Sequence, residues 1–238
     1  MRRWQSVNRT ITAVIFDIGG PLDLETSFEA AIDADIRAGL QREGFDVSDA
    51  AWEDANRLAV EGFAPSLYRA VIWRLTGNER ASAERIYDWM EQQAQERDLF
   101  ELRPGIAEVL EALKARGLKL GLAANQPAKA LRLLDEVGIG RFFENPGVSG
   151  VYGLRKPDVR LFARVCEDLG VQPEQCIMVG DRIDNDIVPA KLLGMRTVLI
   201  RTARHREQQP RSWDEAPDAE VEDASGILSA IEAVLDTT

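Results

Sequence analysis

One histidine, His205, and two cysteines, Cys166 and Cys176, are all the imidazole and thiol that 238 residues offer. A single imidazole makes both a histidine-rich zinc site and a Ser-His-Asp triad poor candidates. Cys166 lies in a helical stretch and Cys176 opens a strand-like run, so both read as reduced, buried small hydrophobes. Basic charge is short as well: 29 Lys and Arg stand against 40 Asp and Glu, a net charge of -11 at pH 7. Such a balance argues against nucleic acid as a general partner, because phosphate contacts need a basic face. No apolar run reaches the length of a membrane span. Met1-Arg2-Arg3-Trp4-Gln5 carries no apolar signal-peptide core. A cytoplasmic protein with no membrane partner is therefore expected. Internal repeats and low-complexity tracts are missing too. What is present is an ordinary globular composition, 45% hydrophobic and 29% charged. The chain is long enough to bury a core without a disulfide or metal staple.

The texture of the chain changes twice. Thr10 to Phe16 is a short apolar, β-branched run that ends at Asp17 and meets Gly19-Gly20-Pro21, which predicts a buried strand entering a glycine turn. Residues 24–98 then carry helical spacing with no strand signal. Phe28, Ile32, Ile36 and Leu40 recur every fourth residue until Gly44. Ala64, Leu67, Tyr68, Val71, Ile72 and Leu75 share a face between Pro65 and Gly77. Ser82 to Gln95 predicts a further helix. From Pro104 onward helices and strands alternate. Strands are expected over 118–123, 176–179 and 196–200, with a weak strand region over 142–148. Helices are expected over 104–116, 127–137, 157–169, 184–193 and 225–235, and an exposed loop over 202–219. That alternation signals parallel βαβ units. The expected fold is α/β: a parallel sheet core formed by residues 1–23 and 99–238, with residues 24–98 inserted as a helical domain that moves as a lid.

Ligands of open parallel sheets bind beyond the carboxyl ends of the strands. Asp17 ends the first predicted strand, Ala124-Asn125 the second, and Gly180-Asp181 the later 176–179 strand, with Asp184 and Asp186 just after. Lys156 precedes a predicted helix at Pro157, where the helix dipole disfavours a cation unless an anion is near. Carboxylates from two strand ends plus a lysine suit Mg²⁺ and a phosphate. Asp184 is expected to cap its helix, and Asn125 to cap the helix at Pro127, to bind substrate, or to do both. Arg201, Arg204, His205, Arg206 and Arg211 are expected to form a solvated loop.

Phe16-Asp17-Ile18-Gly19-Gly20, then Asn125, then Lys156-Pro157-Asp158, then Gly180-Asp181 through Asp186 resemble, in that order, the four motifs of the haloacid dehalogenase superfamily. The helical block is similar to the four-helix cap of its phosphatase-like branch. The resemblance implies a Rossmann-like core with a helical bundle cap. It implies Asp17 as the nucleophile that forms an aspartyl phosphate. Asp17, Asp181 and the Gly19 carbonyl would be ligands of Mg²⁺, with Asp186 at the metal directly or through its shell. Lys156 would neutralise the nucleophile and the phosphoryl group. Asn125, Gly19 and Gly20 would help to bind the phosphate of a small phosphorylated molecule, in a monomer or a homodimer.

Two positions depart from the family pattern. Gly19 replaces the second aspartate of the first motif, the usual general acid and base. Ala124 replaces the usual hydroxyl of the second motif, and Pro21 removes one further N–H. General acid–base catalysis contributes about 10²–10⁴-fold, so a slow phosphatase is expected. Two alternatives stay open. A 2-haloacid dehalogenase also lacks the second aspartate but needs no metal, so Mg²⁺ dependence separates the two. A catalytically degenerate member that binds a phospho-ligand or protein partner would explain Gly19 and Ala124, but not the retained Asp17, Lys156, Asp181 and Asp186.

Overall fold

A computed structural model describes residues 10–236; the expectation for the first five residues lies outside them. The chain divides into two compact units, Glu25–Glu101 and the remainder. The first strand, β1 (Ala13–Phe16), is completely buried. The helical unit follows with α1 (Thr26–Arg42), α2 (Asp49–Glu61), α3 (Leu67–Leu75) and α4 (Arg80–Gln95). Ile32, Ile36, Leu40, Trp52, Ile72 and Met90 close its own hydrophobic core. The Ser48 hydroxyl caps α2 by accepting from the Ala51 N–H, and the Glu79 carboxylate caps α4 through Ala81 and Ser82. Both answer N–H groups that a helix start leaves without an internal partner. Helix α3 begins at Leu67 rather than at Pro65.

The second unit alternates as expected: α5 (Ile106–Ala115), β2 (Lys119–Leu122), α6 (Lys129–Glu136), α7 (Ser149–Tyr152), α8 (Val159–Leu169), β3 (Cys176–Gly180), α9 (Val188–Leu192), β4 (Arg196–Ile200), β5 (Ala219–Val221) and α10 (Ala224–Asp236). The five strands are parallel in the order β2-β1-β3-β4-β5. Ala13, Ile15 and Met178 pack with Leu161, Phe162 and Val165 of α8. The chain turns from β1 to β2 on one side and continues with β3 on the other. The crevice at the ends of β1 and β3 is thus the switch point at which open α/β sheets bind ligands.

Three expectations are corrected. Residues 142–148 do not form a strand; Gly140–Phe142 is a 3₁₀ turn. The chain then runs along β2 with a side chain in place of a peptide: Asn145 Oδ1 accepts from the Leu122 N–H at 2.8 Å and its Nδ2 donates to the Leu122 carbonyl at 3.2 Å. The 202–219 loop ends in a fifth strand, β5, too short and too polar to signal itself. Its basic residues are solvated only in part: Arg201 is buried against Glu220 and Arg204 and His205 are half-buried, while Arg206 and Arg211 stay exposed and pair with Glu222 and Glu215. The two cysteines are free and buried, with their sulfurs 3.8 Å apart. Among the described residues no helix is long and apolar enough to cross a membrane.

Asn145 answers the outer edge of β2 from a buried position. Asn145→Ala leaves one N–H and one carbonyl without it, and each unsatisfied buried group costs about 1–3 kcal/mol. The variant is expected to unfold at markedly lower urea with an unchanged m-value. An unchanged midpoint would show that water replaces the amide at no cost.

Candidate active site

Parallel pairing of β1 with β3 sets Phe16 opposite Val179, and the Asp17 N–H donates to the Val179 carbonyl at 2.9 Å. The first residues past each strand, Asp17 and Asp181, are therefore neighbours. Asp17, Asp181 and Asp186 each offer an oxygen, and these oxygens lie within 4.8 Å of one another. Lys156 Nζ lies between two of them, 2.8 Å from Asp17 Oδ2 and 2.7 Å from Asp186 Oδ1. Asp17 Oδ1 accepts from the Ile18 N–H at 2.7 Å, and Asp186 Oδ2 from the Arg182 N–H at 3.0 Å. Asp186 is fully buried and Lys156 almost so, whereas the Asp17 side chain keeps 13% of its surface exposed. A buried lysine flanked by two carboxylates and a third carboxylate beside them form a hard-oxygen donor set suited to Mg²⁺.

Two glycines make this crowding possible. Gly20 holds a left-handed backbone, φ +81°, and a Cβ there would lie 2.7 Å from the Asp181 Cβ. At Gly180 a Cβ would overlap the Asp186 carboxyl group. Larger residues at either position would push an acid out of the cluster.

A family model described as haloacid dehalogenase-like hydrolase matches residues 11–194, well over half of the chain. The chain belongs to this family. Among curated relatives, a glyceraldehyde 3-phosphate phosphatase of Methanopyrus kandleri is 36% identical over 54% of this chain and 55% of its own length. The chain thus spans about half the length of that relative. A phosphoserine phosphatase of Thermus thermophilus is 30% identical over 79% of this chain and 75% of its own length. A solved structure described as a predicted phosphoglycolate phosphatase from Haemophilus somnus superposes with a TM-score of 0.70 at 22% identity, covering 93% of this chain and 98% of its own. At that identity it shows the fold alone.

Of the residues that the haloacid dehalogenase motifs single out, Asp17, Lys156, Asp181 and Asp186 come together as a cluster. Asn125 and Gly20 lie beside the cluster and make backbone contacts of their own. Asn125 Oδ1 accepts from the Lys156 N–H at 2.8 Å and its Nδ2 donates to the Lys156 carbonyl at 2.9 Å. The amide thus grips the backbone of the lysine rather than capping the next helix. Helix α6 begins at Lys129 without a side-chain cap. The Gly20 N–H donates to the Asp23 carbonyl at 2.9 Å. Gly19 sits beside it in the same turn, in bridge contact with Asp23. Asp184 does not cap a helix; it pairs with Arg182 Nη2 at 2.6 Å and accepts from Gln208. Gln208, which carries no sequence signal, also accepts from the Ile183 N–H at 2.8 Å and fixes the turn that bears Asp186. His205 is held neutral: burial, with Arg182 nearby, pushes its pKa down to about 3.

Burial raises the Asp17 carboxyl to about 6; the Lys156 ammonium opposes the rise and Asp186 adds to it. Burial works against the Lys156 charge, but Asp17 and Asp186 more than offset it, and Lys156 is raised above its ordinary value. A carboxyl raised in the folded state favours folding below the unfolded pKa. That contribution fades as pH rises through about 6. With a chelator present, Asp17→Asn removes this pH-dependent loss. The variant is expected to match wild type near pH 4 and to exceed it at pH 7 in urea midpoint. Parallel pH profiles would contradict the raised carboxyl.

Proposed function

We propose that this chain is a Mg²⁺-dependent phosphoric monoester hydrolase that takes a small phosphorylated molecule and works through an aspartyl phosphate on Asp17. The observation that carries this reading is the Asp17–Lys156–Asp186 ion cluster beside Asp181 at the switch point of the sheet. The phosphatase names of the relatives support it. Three carboxylates against one ammonium leave two negative charges, which a divalent cation would cancel. Asp17, Asp181, the Gly19 carbonyl and Asp186 are the groups proposed to hold it. When bound, Mg²⁺ would offset the charge of the transferring phosphoryl group.

Lys156 keeps Asp17 aligned and leaves one of its oxygens to attack phosphorus. As the new P–O bond forms, the ester P–O bond breaks, and its electron pair departs with the leaving oxygen. Water then attacks the phosphorus of the aspartyl phosphate, restoring the Asp17 carboxylate and releasing inorganic phosphate. Lys156 carries positive charge beside both displacements. The pair of bonds from Asn125 fixes the lysine from behind. Asn125→Ala is accordingly expected to lower kcat by about tenfold or more with little change in KM, the pattern of a lost orienting contact. A rise in KM alone would return Asn125 to substrate binding.

With glycine at position 19, no aspartate stands where the family places its general acid. Aryl and acyl phosphates, which leave without protonation, should turn over well. Alkyl phosphates should lag by about 10²–10⁴-fold in single-turnover rate. The left-handed residue of the turn is Gly20, and Gly19→Asp is expected to narrow the gap. Equal single-turnover rates for both ester classes would mean that another group supplies the proton. Turnover that survives full chelation would overturn the metal and favour a metal-free hydrolase.

A further inference from the structure

Arg103 is a buried arginine outside all four motifs. It stands at the point where the chain returns to the sheet unit, one residue after Leu102, which pairs with Asp23. Its N–H donates to the Leu22 carbonyl at 2.8 Å. Its guanidinium reaches two places at once: Nε donates to the Gly20 carbonyl at 2.5 Å, and Nη2 to the Thr202 hydroxyl at 2.7 Å. Gly20 belongs to the turn after β1, and Thr202 follows the end of β4. Strand β3, which delivers Asp181, lies between those two strands. The side chain therefore ties together the loops on either side of Asp181.

Gly20 transmits the tie. Both of its backbone polar groups are engaged, the N–H by Asp23 and the carbonyl by Arg103. Its α-carbon faces Asp181 so closely that no Cβ fits between them. A shift of the Gly20 peptide would either open a gap behind Asp181 or press against it. Either movement changes the spacing between the Asp181 and Asp17 oxygens, and divalent-cation affinity depends on that spacing. Arg103 suits the task where lysine would not, because a planar fork addresses two acceptors in fixed directions.

We propose that Arg103 is a positioning residue of the metal site: through the Gly20 carbonyl it holds the turn after β1 against Asp181 and sets the Asp17–Asp181 geometry that receives Mg²⁺. This rests on the metal-dependent reading above and adds to it a residue that touches neither metal nor substrate.

The test is calorimetric titration of the full chain with MgCl₂ alone, for wild type, Arg103→Lys and Thr202→Val, with urea unfolding run in parallel. Arg103→Lys keeps the charge and loses the fork. It is expected to raise the Mg²⁺ Kd by about 10–100-fold, the usual cost of a lost outer-shell partner. Thr202→Val removes one acceptor and leaves the arginine in place, and is expected to raise Kd by about two- to tenfold, the worth of one hydrogen bond. A purely structural role would lower the urea midpoint and leave the Kd of the folded variants at the wild-type value, which would overturn the proposal alone. If wild type takes up no Mg²⁺, the metal-dependent reading falls and this proposal with it.

Discussion

The Lys156 ammonium, buried between Asp17 and Asp186 at 2.8 and 2.7 Å, is the interaction on which the rest of the site depends. An isolated buried ammonium would be costly, and so would either carboxylate alone. Together they are tolerated, yet one positive charge cannot balance three clustered acids. Burial holds the Asp17 carboxyl above its ordinary value although a lysine touches it, and the nearby Asp186 adds to the rise. A fold does not keep such an imbalance for stability, since apolar residues of similar volume would serve as well or better. The proposed function gives it a purpose, since a cation and a transferring phosphoryl group would use it.

The surroundings hold that cluster in place by backbone means more than by further charges. Parallel pairing puts Asp17 and Asp181 at adjacent strand ends. Gly20 and Gly180 leave space for two acids to approach the backbone. Asn125 grips both polar groups of the Lys156 peptide. Gln208 secures the turn that presents Asp186, and Arg103 links the loops on both sides of Asp181. The Gly20–Asp181 approach and the Arg103 link cross from one strand end to another, so the sheet acts as a ruler for the distances in the site.

Much of this was legible in the sequence, and the exceptions have physical causes. Asp17, Lys156, Asp181 and Asp186 stand out because charge after an apolar strand, or before a helix, breaks the local pattern. β1 and β3 are evident as apolar runs, and α1, α3 and α4 from repeated large apolar residues. Helix α2 was not singled out because its buried face rests on Trp52 with Ala55, Ala59 and Val60, whose small side chains give little contrast. Strand β5 is three residues long and contains Glu220. Asn145 imitates a strand partner with its amide, a contact that no periodicity encodes. The roles of Asn125, Arg103 and Gln208 depend on partners 31, 83 and 25 residues distant. Position in the chain pointed to the groups proposed to carry the chemistry, while only the fold shows which groups hold them.

The central claim is that Asp17 itself forms the covalent bond to phosphorus. Its most direct test is an acid quench of the protein during turnover of an aryl phosphate with MgCl₂, followed by borohydride reduction and peptide mass spectrometry. An aspartyl phosphate is reduced to homoserine, and the account predicts homoserine at position 17 and at no other aspartate. Homoserine at a different position, or product release with no modified aspartate at any quench time, would contradict it.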